Sequence, residues 1–263
     1  MAGLDPLRIP IWREGLVGLE RAALARDPVW RGDDLPQGNA QPVLLIPGFL
    51  AGDVSLTPMA SWLKRIGYRP CRAQMRANVD CTSRTLDRLE TLLERYVNFH
   101  GQLVTIIGQS RGGAMARMLA VRRPELVDGI ITLGSPLTDE FAVHPWVRLH
   151  VYAVAAIGSL GIQGFFSHGC RGDCCADARR DLTGPFPDNV RFTSVFSRTD
   201  GIVDWRACLD PAARLVEVSS THVGMSVNPA VFDVVAGALA DRSEAVERRV
   251  PEPRAPRRRL VAA

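Results

Sequence analysis

One stretch, residues 103–118, limits what this chain can fold into more than any other. It reads LVTIIGQSRGGAMARM: an apolar run, then Gly-Gln-Ser-Arg-Gly, then helix-forming residues. A serine between two glycines at this spacing, where a strand meets a helix, is typical of a sharp turn that strains the serine backbone and exposes its hydroxyl. At Gly108 and Gly112 the strand and the helix would pass too closely for a side chain. Ser110 is therefore the first candidate for a nucleophile.

Short apolar runs alternate with helix-like segments along the rest of the chain. This alternation predicts an α/β protein with a mostly parallel sheet and helices on both faces. In such a sheet the functional groups lie at the carboxyl ends of the strands. Besides the run before Ser110, strands are predicted at residues 43–46, 68–74, 129–133, 190–197 and 214–218, and helices at 57–67, 83–99, 111–122 and 227–239.

The domain organisation is predicted from where strands and helices alternate along the chain and where this alternation stops. Residues 1–40 are predicted to be an N-terminal helical extension, and residues 41–240 an α/β domain. Residues 137–187 interrupt the alternation with an apolar segment followed by clustered cysteines, which favours a cap or lid over the strand ends rather than an ordinary crossover helix. Residues 241–263 are rich in Arg, Glu and Pro, and predict a basic, disordered tail.

Charge and hydropathy exclude several classes of protein. The formal net charge is +4, but the residues from Arg248 onward carry six arginines and one glutamate, so the body is close to neutral and a nucleic-acid surface is not expected. No apolar run approaches the roughly 18 residues that a transmembrane helix needs, and the first 30 residues contain several charges. We therefore expect a cytoplasmic protein, with room for peripheral membrane contact. Paired cysteines would instead indicate an exported or cell-envelope protein.

The cysteines allow two interpretations. A zinc site of His168 with the three clustered cysteines is one, but the sequence lacks the paired C-x-x-C spacing that makes a zinc prediction strong. Disulfides or buried thiols are therefore favoured, and no metal is assigned. The cysteines are Cys71, Cys81, Cys170, Cys174, Cys175 and Cys208.

A serine hydroxyl becomes a good nucleophile only beside a base, and the base needs a carboxylate that fixes its tautomer. His222 follows the last predicted strand, and Asp200 follows the strand before it. Asp204 is the competing acid, but it lies a further turn along the chain. The sequence therefore predicts a catalytic group of Ser110, Asp200 and His222.

Negative charge that develops on an attacked carbonyl needs preorganised donors, usually backbone amides. The amide of Arg111, directly after the nucleophile, is one candidate, and the amide of Phe49, in the Pro-Gly-Phe turn after the first strand of the sheet, is the other. Apolar residues beside these groups, Leu50, Val203 and Val223, are candidate substrate contacts.

Four segments together carry a resemblance to a known superfamily. The segments LLIPGFL, IIGQSRGG, SRTDGIVDW and STHVG resemble the oxyanion loop, nucleophile turn, acid turn and histidine loop of α/β-hydrolases, closest in style to bacterial lipases and esterases. The likeness runs from about residue 43 to 239 without the insertion. It departs from many lipases at Pro47, where histidine is common, and at Gln109 and Arg111, which flank the serine.

The resemblance implies a serine hydrolase without a cofactor, which cleaves a hydrophobic or lipid-like carboxylic ester through an acyl-enzyme. It implies Ser110 as nucleophile, Asp200 as orienting acid, His222 as base, and Phe49 and Arg111 as oxyanion donors. Two alternatives remain open at this level: an acyltransferase with the same three residues, and a catalytically silent binding protein on the same scaffold.

Overall fold

The computed structural model describes residues 9–241. Within this range six parallel strands form one sheet in the order β2-β1-β3-β4-β5-β6. All the predicted strands are present, although β2 is shorter than expected. Gln74, at the predicted end of β2, has a φ of 58°, which is incompatible with an extended strand. The strands are β1 (Pro42–Ile46), β2 (Arg69–Arg72), β3 (Val104–Gln109), β4 (Val127–Leu133), β5 (Arg191–Phe196) and β6 (Arg214–Glu217).

Helices connect the strands and cover both faces of the sheet, as the alternating pattern predicts. Short 3-10 turns occur at Ile11–Leu16, Asp53–Leu56, His168–Arg171, Asp173–Cys175, Trp205–Cys208 and Val223–Ser226. None of the helices within residues 9–241 has the length and apolar character that crossing a bilayer requires. The α-helices are α1 (Val17–Arg26), α2 (Pro28–Arg31), α3 (Thr57–Arg65), α4 (Thr82–His100), α5 (Arg111–Arg122), α6 (Pro145–Ser159), α7 (Ala176–Thr183) and α8 (Pro229–Ala240).

Side chains that alternate along the strands fill two separate cores, one on each face of the sheet. On β1, Leu44 and Ile46 pack with α4, α5 and α7, whereas Val43 and Leu45 pack with α1, α2, α3 and α8. Strands buried on both faces carry continuous apolar runs, as these do. The sheet is thereby held rigid from both sides, and the loops at its carboxyl edge rest on a fixed frame.

Residues 137–187 lie between β4 and β5 and form α6, two 3-10 turns and α7. We call this segment the insertion. On α6 only Val154 and Ala155 are buried, and among residues 160–170 and 172–174 no residue is buried. The prediction of a disordered tail concerns residues that, apart from Asp241, lie outside the described range, as do residues 1–8 of the predicted N-terminal extension.

A buried arginine on α5 is paired with an aspartate and also bonds to the insertion. Arg117 on α5 donates from Nε to Asp210 Oδ2 at 2.6 Å, and the two side chains are 5% and 4% exposed. The other guanidinium nitrogens of Arg117 donate to the carbonyl oxygens of Asp181 and Gly184 at 2.7 and 2.9 Å. Each of the three guanidinium nitrogens therefore has a hydrogen-bond acceptor, which a buried charge requires.

We expect Asp210→Ala to destabilise the protein strongly, because it leaves the Arg117 charge buried without its partner. The expected loss in the free energy of unfolding is about 3–5 kcal/mol, measured by urea denaturation. Asp241→Ala is the matched control: it removes the Arg214–Asp241 pair, whose side chains are 66% and 68% exposed, and should cost less than about 1 kcal/mol. Equal losses for the two variants would contradict this account of the ion pair.

Candidate active site

The turn between β3 and α5 holds Ser110 in a strained backbone conformation, with φ 53° and ψ −124°. A Cβ at Gly112 would lie 2.2 Å from the carbonyl oxygen of Ile46, and a Cβ at Gly108 would lie 2.4 Å from the carbonyl oxygen of Gly112. Only glycine fits at these two positions, as the sequence suggested. The close approach of strand and helix therefore forces the turn, and Ser110 is left lining a cavity.

Asp200 and His222 meet beside that cavity. Asp200 follows β5 and His222 follows β6, and His222 Nδ1 lies 2.7 Å from Asp200 Oδ2. Both residues are buried, and only His222 also lines the cavity with Ser110. The second oxygen of Asp200 accepts the backbone N–H groups of Ile202 and Val203 at 2.8 and 2.7 Å. These bonds hold the carboxylate in place against the imidazole.

Asp204, the competing acid, is engaged elsewhere. Its carboxylate accepts hydrogen bonds from Nε and a terminal nitrogen of Arg206 at 2.9 and 2.6 Å, and it caps the 3-10 turn that follows by accepting from the Arg206 amide. Burial raises the pKa of Asp204 and the bonds from Arg206 lower it; the net effect is a pKa below the ordinary value. Asp200 is thus the carboxylate that contacts the histidine.

The Pro-Gly-Phe turn after β1 lies directly against Ser110. A Cβ at Gly48 would be 3.2 Å from Ser110 Cβ, and Phe49 lines the same cavity. Asn78 fixes this turn, because its side-chain amide donates to the carbonyl oxygen of Pro47 at 2.8 Å. Phe49 and Arg111, whose amides are predicted as oxyanion donors, therefore both line the cavity that contains Ser110.

The side chain of Arg111, which the sequence leaves unexplained, has a clear set of partners. Its guanidinium donates to the carbonyl oxygens of Asn78 and Asp80 at 2.9 and 2.7 Å and to Thr82 Oγ1 at 3.1 Å. It also lies 5.4 Å from the ring centroid of Phe166, in the insertion. Burial lowers the pKa of Arg111 to about 10, so the group stays charged at neutral pH.

The cavity beside Ser110 has a volume of about 910 Å³ and a largely apolar lining. Its walls include Leu50 and Val223, two of the three predicted substrate contacts. The third, Val203, is 1% exposed and packs in a small core with Val143, Phe196 and Cys208. The neighbouring Ile202 lines the cavity in its place. The amides of both residues bind Asp200, but the Val203 side chain is taken up by the small core.

No protein-family model matches the sequence, and no curated protein matches it. Solved structures do match. The metagenomic carboxyl esterase MGS0156 has a TM-score of 0.59 at 13% identity, with 88% of this chain and 91% of that chain covered. The mature form of lipase BlEst2 from Bacillus licheniformis has a TM-score of 0.57 at 15% identity, with 81% and 96% covered.

A third similar structure is carboxylesterase CesB from Bacillus subtilis, with a TM-score of 0.51 at 13% identity over 80% of this chain and 87% of that chain. This chain has the α/β-hydrolase fold. Its structural likeness to bacterial lipases and esterases agrees with the resemblance seen in the sequence segments. At identities this low the likeness concerns the fold, so the activity has to be argued from the site.

The N-terminal extension adds a contact to this candidate site that sequence analysis missed. The Glu14 carboxylate accepts the backbone N–H groups of Gly201, His222 and Val223 at 2.8–2.9 Å. It therefore joins the acid turn to the histidine loop. No local pattern marks Glu14 for this role, because its partners lie about 190 residues or more away in the sequence.

Two further side chains hold the histidine loop. Glu20 on α1 accepts from the amide and the hydroxyl of Thr221 at 2.9 and 2.7 Å. Gln109, the residue before the serine, donates from Nε2 to the carbonyl oxygen of His222 at 3.0 Å. Gln109 stands where the resemblance led us to expect a different residue, and its contact gives it a positioning role.

Two carboxylates act on the titration of His222. Burial favours the neutral imidazole, whereas the charge and hydrogen bond of Asp200 and the charge of Glu14 favour the imidazolium. The carboxylates outweigh burial, so the pKa of His222 lies above its ordinary value of 6.5.

We expect Asp200→Asn to lower the pKa of His222, because the imidazolium loses its hydrogen-bonded counter-charge. Glu14→Gln should lower it by a smaller amount. The measurement is an NMR pH titration of the His222 imidazole protons, and Asp204→Asn is the control that should leave the pKa unchanged. If Asp204→Asn moved the pKa as far as Asp200→Asn, the pairing of Asp200 with His222 would be wrong.

Proposed function

We propose that this protein is a serine hydrolase that cleaves carboxylic esters through an acyl-enzyme. The observation that carries the proposal is the hydrogen bond of 2.7 Å between His222 Nδ1 and Asp200 beside a cavity that Ser110 and His222 both line. Ser110 on its strained turn, a histidine and a buried carboxylate are the three groups that nucleophilic acyl transfer needs. The structural likeness to a bacterial lipase and a bacterial carboxylesterase lends further support.

Each group then has a defined task. His222 Nε2 takes the proton of the Ser110 hydroxyl as Oγ attacks the ester carbonyl, and returns it to the leaving alcohol. Asp200 holds the proton on Nδ1 and stabilises the imidazolium that forms. The amides of Phe49 and Arg111 bind the oxygen that becomes negatively charged. Water, activated by His222, then releases the acid from the serine.

The shape of the cavity favours a hydrophobic acyl group. Leu50, Ile202 and Val223 line it together with Ser110, and so do Val147 and Val151 of α6. We infer that the insertion serves as a cap, because its helix supplies apolar side chains to a wall that the sheet and its loops leave open. A cavity of about 910 Å³ can enclose a medium-length acyl chain.

Ser110→Ala should lower kcat on p-nitrophenyl esters by on the order of 10⁴-fold or more, because no nucleophile remains. Asp200→Asn should lower kcat by a similar factor through the wrong imidazole tautomer. Asp204→Asn is the matched control and should retain activity. Circular dichroism establishes that each variant is folded.

Two outcomes would contradict the assignment. A folded Ser110→Ala protein with full activity would exclude Ser110 as the nucleophile. Failure of the wild-type protein to hydrolyse any ester and to react with a fluorophosphonate would favour a silent binding protein instead.

We expect kcat/KM to rise with acyl length by up to about fourfold per methylene until the cavity is filled, because each buried methylene contributes about 0.8 kcal/mol. The measurement is a series of p-nitrophenyl esters graded from acetate upward. Ile202→Ala should flatten this dependence, whereas Val203→Ala, in the core, should lower stability and leave the dependence intact. A preference for acetate that Ile202→Ala does not alter would refute the apolar acyl site.

A further inference from the structure

Four cysteine sulfur atoms converge on one point outside the groups assigned to catalysis. The Sγ atoms of Cys81, Cys170, Cys174 and Cys175 all lie within 4.8 Å of one another. Cys81 comes directly before α4, and the other three belong to the insertion. We call this group the cysteine cluster. The zinc interpretation of the sequence included His168, but in the structure Cys81 completes the group.

The spacing of the sulfurs suits a tetrahedral metal site. Zinc bound by thiolates at about 2.3 Å in a tetrahedron has sulfur atoms about 3.8 Å apart. Cys175 Sγ lies 3.5 Å from Cys81 Sγ and 3.6 Å from Cys174 Sγ. Zinc is the commonest ion in a closed site of four sulfurs, with iron as the alternative of similar geometry.

Disulfides explain this arrangement less well. A disulfide brings one sulfur to within about 2.05 Å of a single partner, whereas Cys175 has two sulfur neighbours at almost equal distances. All six cysteines are free thiols in the structure. One ion bound by four cysteines requires all four sulfur atoms to lie close together. Disulfide bonds require only that the sulfur atoms be close in pairs.

Positively charged side chains lie next to the segments that carry the cysteines. Arg111 donates to the Asp80 carbonyl oxygen at 2.7 Å and to Thr82 Oγ1 at 3.1 Å, the residues before and after Cys81. Arg179 donates to the carbonyl oxygens of Cys170 and Gly172 at 3.4 and 2.8 Å. Four thiolates around a divalent ion leave a net charge of −2, which these guanidinium groups partly offset.

The part of the insertion that carries the cluster has almost no core of its own. No residue among 160–170 and 172–174 is buried. The chain nevertheless crosses close to α4: the Phe166 amide donates to the Val79 carbonyl oxygen at 2.8 Å, and the Ser83 hydroxyl donates to the Cys174 carbonyl oxygen. A segment without a core of its own is commonly held by a metal or by disulfides.

We propose that Cys81, Cys170, Cys174 and Cys175 bind one structural zinc ion that fastens the insertion to the segment before α4. The ion has four protein ligands and no open position, so it takes no part in the reaction. Zinc binding is independent of the proposed ester hydrolysis, and the experiments below do not use activity.

The first experiment measures zinc in the full-length protein, expressed with zinc in the medium and purified without chelator. Mass spectrometry of the metal content should give one zinc per chain. Cys81→Ser and Cys174→Ser should each lose it, whereas Cys71→Ser, whose sulfur on β2 is outside the cluster, should keep it. A thiol count under denaturing, non-reducing conditions with a chelator should give six free thiols per chain.

A second measurement avoids the risk that a cysteine variant does not fold. Wild-type protein freed of metal with a chelator is titrated with Co²⁺ alone. One equivalent should produce the intense visible absorption of tetrahedral cobalt thiolate, and Zn²⁺ should then abolish it. Limited proteolysis should cut residues 160–174 faster in the metal-free protein than after zinc is restored.

Three results would overturn the proposal. Four or fewer free thiols in the denatured protein would assign the cluster to disulfides. Six free thiols with neither bound zinc nor a tetrahedral cobalt spectrum would leave the cluster as reduced cysteines without a metal. Stoichiometric iron in place of zinc would refute the assignment of the ion.

Discussion

The close approach of β3 and α5 fixes the position of Ser110, the proposed nucleophile. Two glycines allow the strand, the helix and the end of β1 to come together, and the chain then passes through Ser110 at a φ of 53°. A non-glycine residue held in this region costs on the order of 1–3 kcal/mol. The strain is tolerated because the surrounding structure leaves no alternative: the Ser110 amide donates to the Leu133 carbonyl oxygen at 2.8 Å, which continues the pairing of β3 with β4 up to the turn itself.

The position of His222 depends on hydrogen bonds rather than on close packing of the backbone. Its loop contains only the short 3-10 turn Val223–Ser226, and its position comes from hydrogen bonds that reach it from distant parts of the chain. Glu14 binds two amides of the loop and one of the acid turn, and Gln109 binds the His222 carbonyl oxygen. The Glu14 carboxylate that positions the imidazole also adds to the effect of Asp200 in raising the pKa of His222. Geometry and proton affinity are therefore linked through one side chain.

Sequence analysis was most successful for features that depend on a local pattern of residues. The strands, their alternation with helices and the order of serine, acid and histidine are visible because each depends on a few adjacent residues. The contacts of Glu14, the partners of the Arg111 guanidinium and the place of Cys81 in the cysteine cluster are not visible, since they join residues that only the folded chain brings together. The sequence also indicated Val203 instead of Ile202 at the cavity. Both residues lie in the irregular segment after β5, where no strand or helix periodicity shows which side chain will be buried.

Arg111 shows how these parts depend on one another. Its amide is proposed to bind the developing oxyanion, and its guanidinium is bonded to two carbonyl oxygens and a hydroxyl within residues 78–82. Asn78, in the same segment, fixes the turn that carries Phe49, the other proposed donor. Residues 78–82 therefore contact the supports of both proposed donors. A lysine at position 111 would keep the charge but lose the planar fork that three separate acceptors require. Because Cys81 belongs to this segment, a metal ion in the cysteine cluster would be bonded to the same stretch of chain that supports the two proposed oxyanion donors.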